Sequence, residues 1–254
     1  MLIVLSPSKT LNFDFDPPKK YSQPEFADEA ADVVKVLRKY SPADLQKLMK
    51  INPQLAQLNA QRYNEWHLPF TTENSRQAVL AFKGEVYNGL EAETMTTQQL
   101  DFAQEHLRIL SGLYGILRPL DLMQPYRLEM GTDIKINKKK NLYAFWKKSV
   151  TAHIAELLKS YDKPLLINLA SDEYFKAIDT TALKARIIQP QFKDMSGGKY
   201  KFITMYGKKA RGMMTLFIIE NEITEADQLK LFDTDGYYYN DQLSNGNKWV
   251  FTRG

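Results

Sequence analysis

Leu165-Leu166-Ile167-Asn168-Leu169-Ala170-Ser171-Asp172-Glu173-Tyr174 is an apolar run that stops abruptly at a serine and two acids. Two other stretches share that form: Leu2-Ile3-Val4-Leu5 ends at Ser6, and Ile109-Leu110 ends at Ser111. Unbroken apolar runs of this length suit strands covered on both faces, as in a parallel or mixed sheet between helices. The reading is therefore an α/β (mixed α+β) fold, a single compact domain over 1–254 with a central mixed sheet flanked by helices. In open α/β sheets, ligands collect beyond the carboxyl ends of the strands. If the three runs are parallel neighbours, Ser6, Ser111 and Ser171 gather on one rim. If small residues merely end strands, no convergence follows.

Around those runs the period changes. Phe26, Ala30, Val33, Val34, Leu37 and Tyr40 are spaced for one buried helical face, as are Leu142, Trp146, Val150, Ile154, Leu157 and Leu158. Ala210, Met213, Met214, Phe217 and Ile218 give a third such face, with the helix start placed at Lys208–Arg211. Tyr200–Tyr206 alternates like a strand. Tyr237–Asp241 and Lys248–Thr252 read as a hairpin turned by Ser244-Asn245-Gly246.

The 254 residues carry Lys+Arg 34 against Asp+Glu 30, and cysteine is absent. This excludes disulfides, cysteine-ligated zinc or iron–sulfur centres, and a thiol nucleophile. No apolar run approaches the roughly 20 residues of a membrane span, and Met1–Leu5 lacks the features of a signal peptide. A cytoplasmic protein without membrane contact is expected. The positive charge is blocked: Lys135, Lys138, Lys139, Lys140, Lys147 and Lys148 form one group. Lys193, Lys199, Lys201, Lys208, Lys209 and Arg211 form another, diluted by Asp194. Such blocks suit an anionic partner, nucleic acid foremost, or serve as solvated faces.

The tract Leu110–Gly131 is the densest in candidate chemistry. Its glycines permit close backbone approach, while Arg118, Arg127, Tyr114 and Tyr126 suit a phosphate grip or base stacking. The alternative is a tight loop whose arginines pair with Asp121 and Glu129. Ser6-Pro7-Ser8-Lys9-Thr10 lacks the glycines of a phosphate-cradling loop, although Lys9 can neutralise an anion. Asp172-Glu173 offers one acid for proton transfer beside one surface acid. His67, His106 and His153 have no metal-type spacing, so no metal site and no cofactor are expected.

Ser41-Pro42 and Asn52-Pro53 are two consecutive helix-start signals, each a capping residue before a first-turn proline. The segment at about 41–63 thus reads as helix, tight turn, helix, spaced like a helix-hairpin-helix. Lys50 and Asn52 stand where hairpin glycines are expected. Phosphate binding through the hairpin and ordinary helix packing both fit.

Taken together, Ser6–Thr10, Ala81-Phe82-Lys83-Gly84-Glu85-Val86-Tyr87, Leu110–Gly131, Ile167–Tyr174 and Lys208-Lys209-Ala210-Arg211-Gly212 resemble the peroxide stress resistance protein YaaA family over essentially the full chain. The resemblance implies a cytoplasmic protein that protects against hydrogen peroxide by limiting free intracellular iron. It also implies DNA binding through a positively charged cleft and a helix-hairpin-helix. Sequence-independent contact with the DNA backbone is expected at Lys47, Lys50, Asn52, Lys138, Lys139, Lys140, Lys208, Lys209 and Arg211. The competing expectation is an enzyme acting on a nucleobase, nucleotide or nucleic acid. Its site would be lined by Ser6, Lys9, Ser111, Tyr114, Arg118, Arg127, Asn168, Ser171 and Glu173, with a small anionic ligand.

Overall fold

A computed structural model describes residues 1–254. The apolar runs form the centre of an eight-stranded mixed sheet. Its strands are β1 (Leu2–Leu5), β2 (Leu107–Ser111), β3 (Gly115–Leu117), β4 (Leu165–Leu169), β5 (Arg186–Ser196), β6 (Lys199–Lys201), β7 (Tyr238–Tyr239) and β8 (Lys248–Arg253). The order is β7-β8-β5-β4-β1-β2-β3, with β6 paired to β5. β1 lies parallel between β4 and β2, so that Leu5 faces Leu169 on one side and Ile109 on the other. Every residue of β1, β2 and β4 is buried, which is why these strands show no polar alternation. The sheet turns antiparallel at both edges, β3 on β2 and β7 on β8.

Of the nine α-helices around the sheet, six carry the candidate surfaces: α1 (Ala27–Leu37), α2 (Pro42–Met49), α3 (Pro53–Glu65), α4 (Glu85–Leu90), α5 (Leu142–Leu158) and α6 (Thr204–Glu220). α1 and α5 bury the apolar faces read from their periodicity, and 68 buried residues form one hydrophobic cluster. α4 crosses α6 where two glycines remove the intervening side chains. A Cβ on Gly212 would lie 1.8 Å from the Val86 carbonyl oxygen, and one on Gly89 would lie 2.2 Å from that of Lys209.

Two boundaries differ from the sequence reading. Of the alternating Tyr200–Tyr206 segment only Tyr200 and Lys201 join the sheet, in the strand Lys199–Lys201, and α6 begins at Thr204 rather than Lys208. Gly207 leaves room for the Phe202 ring, which folds against the start of α6 and takes the place a side chain there would fill. The C-terminal hairpin does form, with Tyr238 opposite Thr252 and a 3₁₀ turn at Asp241–Leu243 in its connection.

Candidate functional site at the strand rim

Because β4, β1 and β2 are adjacent and parallel, their carboxyl ends lie side by side. The terminal serines make local bonds there. The Ser6 hydroxyl accepts the Ser171 N–H at 2.8 Å, and the two hydroxyl oxygens are 3.3 Å apart. Ser111 Oγ accepts the N–H groups of Leu113 and Tyr114 and sits 2.7 Å from the Tyr126 hydroxyl. Asn168 Oδ1 accepts the Ala170 N–H at 3.0 Å, tightening the exit of β4. Tyr87, on α4, donates to the Ser6 carbonyl. Burial holds the phenols of Tyr87, Tyr126 and Tyr174 well above their ordinary range, so all three remain protonated donors at neutral pH.

Charge enters this rim from the Leu110–Gly131 tract. Lys9 Nζ lies 2.6 Å from Glu129 Oε2, and Arg127 approaches the other oxygen of that carboxylate at 3.6 Å. Arg127 Nε is buried and has no hydrogen-bond partner. Glu173 Oε1 accepts the Gly131 N–H at 3.0 Å, and a Cβ on Gly131 would sit 3.2 Å from that oxygen. Tyr143 donates to the Glu173 carbonyl. Arg211 comes in from α6 with its guanidinium largely buried. Burial pulls its pKa down and the Asp172 carboxylate opposes that shift. The arrangement offers two arginines and a lysine to an anion, with carboxylates already beside them.

Not every candidate belongs to this cluster. Arg118 follows β3, which runs antiparallel to β2 and returns the chain toward the opposite end of the sheet. There its guanidinium grips the buried Asp121 at 3.0–3.1 Å and donates to the Gln23 carbonyl, and its charge bears on Arg108. Tyr114 is wholly buried. Its hydroxyl accepts from Trp66 Nε1 at 3.0 Å and from the Gln124 N–H, which makes it a core residue. The tract's glycines also have packing roles. Gly115, at φ +68°, lies under the Trp146 ring, and Gly112 lets the backbone touch Leu128. Both arginine–acid pairs of the tight-loop alternative are present, yet only Arg127–Glu129 faces the rim. Tyr87 and Glu173's partner Gly131 were not among the candidate site residues. Only their position inside the short motifs marked them.

The helix pair at 41–63 is built as its caps dictate. Ser41 accepts the Asp44 N–H while Asp44 accepts the Ser41 N–H, and Asn52 Oδ1 accepts from Leu55 at 2.8 Å. The turn between α2 and α3 is left-handed at Lys50, with φ 53° and ψ 50°, the conformation a hairpin glycine would supply. Ile51 is buried and anchors the turn, leaving Lys47, Lys50 and Asn52 exposed. The Tyr63 hydroxyl donates to the Arg127 carbonyl, connecting α3 to the rim tract. Lys138, Lys139 and Lys140 are exposed on the loop before α5, and Lys208 is exposed on α6 with Lys209 half-buried. His106 is buried against the Met1 carbonyl, and His153 rests on Phe26 near Glu25. No three His, Asp or Glu side chains gather in a group that could hold a metal, and no helix is long and apolar enough to cross a membrane.

Comparison with known proteins agrees with the motif pattern along the whole chain. The family model described as peroxide stress protein YaaA matches residues 1–243. A UPF0246 protein of Pseudoalteromonas translucida is 53% identical over 245 residues, covering 96% of this chain and 95% of its own length. A UPF0246 protein of Ralstonia nicotianae is 52% identical over 254 residues, covering 100% and 99%. One from Hahella chejuensis is 50% identical over the same span. A family model spanning nearly all of the sheet and its rim, together with relatives at half identity over full length, places this chain in the YaaA peroxide stress protein family.

Proposed function

We propose that this protein defends the cell against hydrogen peroxide by limiting free iron and by engaging DNA through backbone phosphates, without reading base sequence. The observation that carries the DNA reading is the hairpin between α2 and α3. A left-handed Lys50 and an Asn52-capped helix start present two lysines beside helix N-terminal N–H groups on an exposed turn. Pro53 has no N–H and Asn52 already takes those of Leu55 and Ala56, so the helix dipole and the Gln54 N–H are what this start offers a phosphate, with the two lysines beside them. The lysines of the 138–140 loop supply further contacts of the same kind. Phosphate-dominated binding falls steeply with salt, by a log–log slope of about 0.9 per phosphate neutralised. Titrating a labelled duplex at rising salt tests this. Lys47→Glu with Lys50→Glu should weaken retention and flatten the slope. Retention indifferent to salt and to both reversals refutes the hairpin reading. Chelatable iron in peroxide-treated cells, with and without the protein, tests the other half.

A second reading has its own support in the rim. Ser6 and Ser171 bond to each other at the exits of adjacent strands, Ser111 ends the next strand beside Tyr126, and Lys9 and Arg127 share Glu129, features suited to an enzyme acting on a nucleobase or nucleotide. Arg127 and Lys9 would hold anionic charge and Glu173 would move a proton. Glu173→Gln and the Lys47/Lys50 pair separate the two readings. Lost peroxide protection in folded Glu173→Gln, with duplex retention intact, supports the rim. Full protection in that variant removes it.

A further inference from the structure

The sheet continues past the rim into a two-stranded ribbon. β5 runs eleven residues, turns at Gly197-Gly198 and returns as β6, with Met195 opposite Tyr200 and Lys201 opposite Asp194. Where this ribbon passes into α6, large apolar side chains stand in solvent: Phe202 is 53% exposed, Met205 52% and Tyr206 40%. Exposed lysines flank them, Lys199 and Lys201 on the ribbon and Lys208 on the helix. Two of the acids nearby are already matched. Asp194 is buried against Arg253 at 2.6–2.7 Å and takes the Tyr237 hydroxyl, and Asp235 pairs with the same arginine. The surface therefore combines exposed rings with uncompensated positive charge.

Arg253 lies over the Tyr206 ring, 4.8 Å from its centroid, which orients that ring and leaves its other side to solvent. Beside it opens a cavity of about 260 Å³ lined by Glu85, Met205, Tyr206, Lys209, Asp235 and Arg253. Glu85 is the one carboxylate there without a cation in contact. It can accept hydrogen bonds from the amino groups of a base.

We propose that the ribbon and the start of α6 form a binding surface for single-stranded nucleic acid, with bases stacking on Phe202 and Tyr206 and phosphates following Lys199, Lys201 and Lys208. Paired bases hide their faces and cannot stack on side chains, whereas unpaired bases can, whatever their identity. The positive charge at Lys199, Lys201 and Lys208 favours an acidic partner over a basic one. This inference rests on the nucleic-acid reading but uses a surface other than the α2–α3 hairpin.

The test uses the full chain and fluorescent oligothymidylate, a matching oligouridylate and a duplex of equal length. The unpaired probes should bind more tightly than the duplex. Phe202→Ala with Tyr206→Ala should weaken them by at least about 30-fold, with duplex retention by the folded variant nearly unchanged. Lys199→Glu with Lys201→Glu, which removes no buried contact, should weaken them in a salt-dependent manner. Unpaired probes that bind no tighter than duplex, or that ignore both pairs of substitutions, overturn the proposal. So does self-association of the wild type that the aromatic variants abolish while oligonucleotide affinity stays constant. Failure of the hairpin variants to affect duplex would refute the hairpin alone.

Discussion

The Ser6 hydroxyl, at the end of the first strand, accepts the backbone N–H of Ser171, which is 165 residues further along the chain, at 2.8 Å. This hydrogen bond fastens the exits of β1 and β4 together and so fixes the floor of the rim. Ser6 is 9% exposed, so water replaces the lost acceptor poorly. Ser6→Ala should cost about 1–2 kcal/mol, measured by urea unfolding, and should loosen amide protection at Ser171.

The crossing of α4 on α6 should be the least tolerant contact in the fold. Gly212→Ala forces a methyl into the Val86 carbonyl, which belongs to backbone and cannot rotate away. A loss of at least about 2 kcal/mol is expected, seen as a lower Tm. The same change at Gly198, which meets nothing within 4 Å but sits at φ +73°, should cost only its backbone strain.

Arg118 should behave as a structural residue and not as a site residue. Its removal leaves the Asp121 carboxylate, 1% exposed, with Ser22 and one backbone N–H as partners. Arg118→Ala should destabilise by about 2–3 kcal/mol, after allowance for the guanidinium's partial exposure. Arg127→Ala is the cleaner probe of the rim. Unfolding curves of the two variants, set against peroxide survival, distinguish these roles.

Lys50 holds a left-handed conformation that costs a non-glycine residue about 1 kcal/mol. Lys50→Gly should therefore leave the protein equally stable or more stable, by up to about 1 kcal/mol, even though glycine enlarges the unfolded ensemble. Lys50→Val, with a branched Cβ at the same φ, should be clearly destabilising. Chemical denaturation of both variants decides it.

Stability should fall as pH drops from about 7.5 to about 5.5, above the range in which ordinary carboxylates titrate. Burial lowers the pKa of both His106 and His153 from 6.5. The unfolded chain thus binds more protons in this window, and the folded state loses ground as the imidazoles charge. The Met1 ammonium, pushed down to about 6 by burial, acts in the same direction. His106→Gln with His153→Gln should flatten much of this slope without removing it. An unchanged slope in the double variant refutes the assignment.

The central sheet was legible in the sequence because strands covered on both faces have no polar alternation, and Leu2–Leu5 and Leu165–Leu169 show none. The helix pair at 41–63 was equally legible, since Ser41-Pro42 and Asn52-Pro53 are local capping chemistry that needs no tertiary partner. Arg118 could not be placed this way. It shares a tract with Arg127, but the antiparallel return of β3 carries it to the far end of the sheet. Tyr114 and Tyr126 look alike in sequence. The fold buries one hydroxyl against Trp66 and sets the other beside Ser111. The start of α6 escaped the periodicity because its first turn, Thr204–Gly207, carries no buried apolar side chain and the Phe202 ring covers Gly207 in their place. Local patterning determined the buried strands, the amphipathic helices and the caps of α2 and α3. Pairing order and direction, which depend on contacts between residues more than a hundred positions apart, decided which polar side chains share the rim.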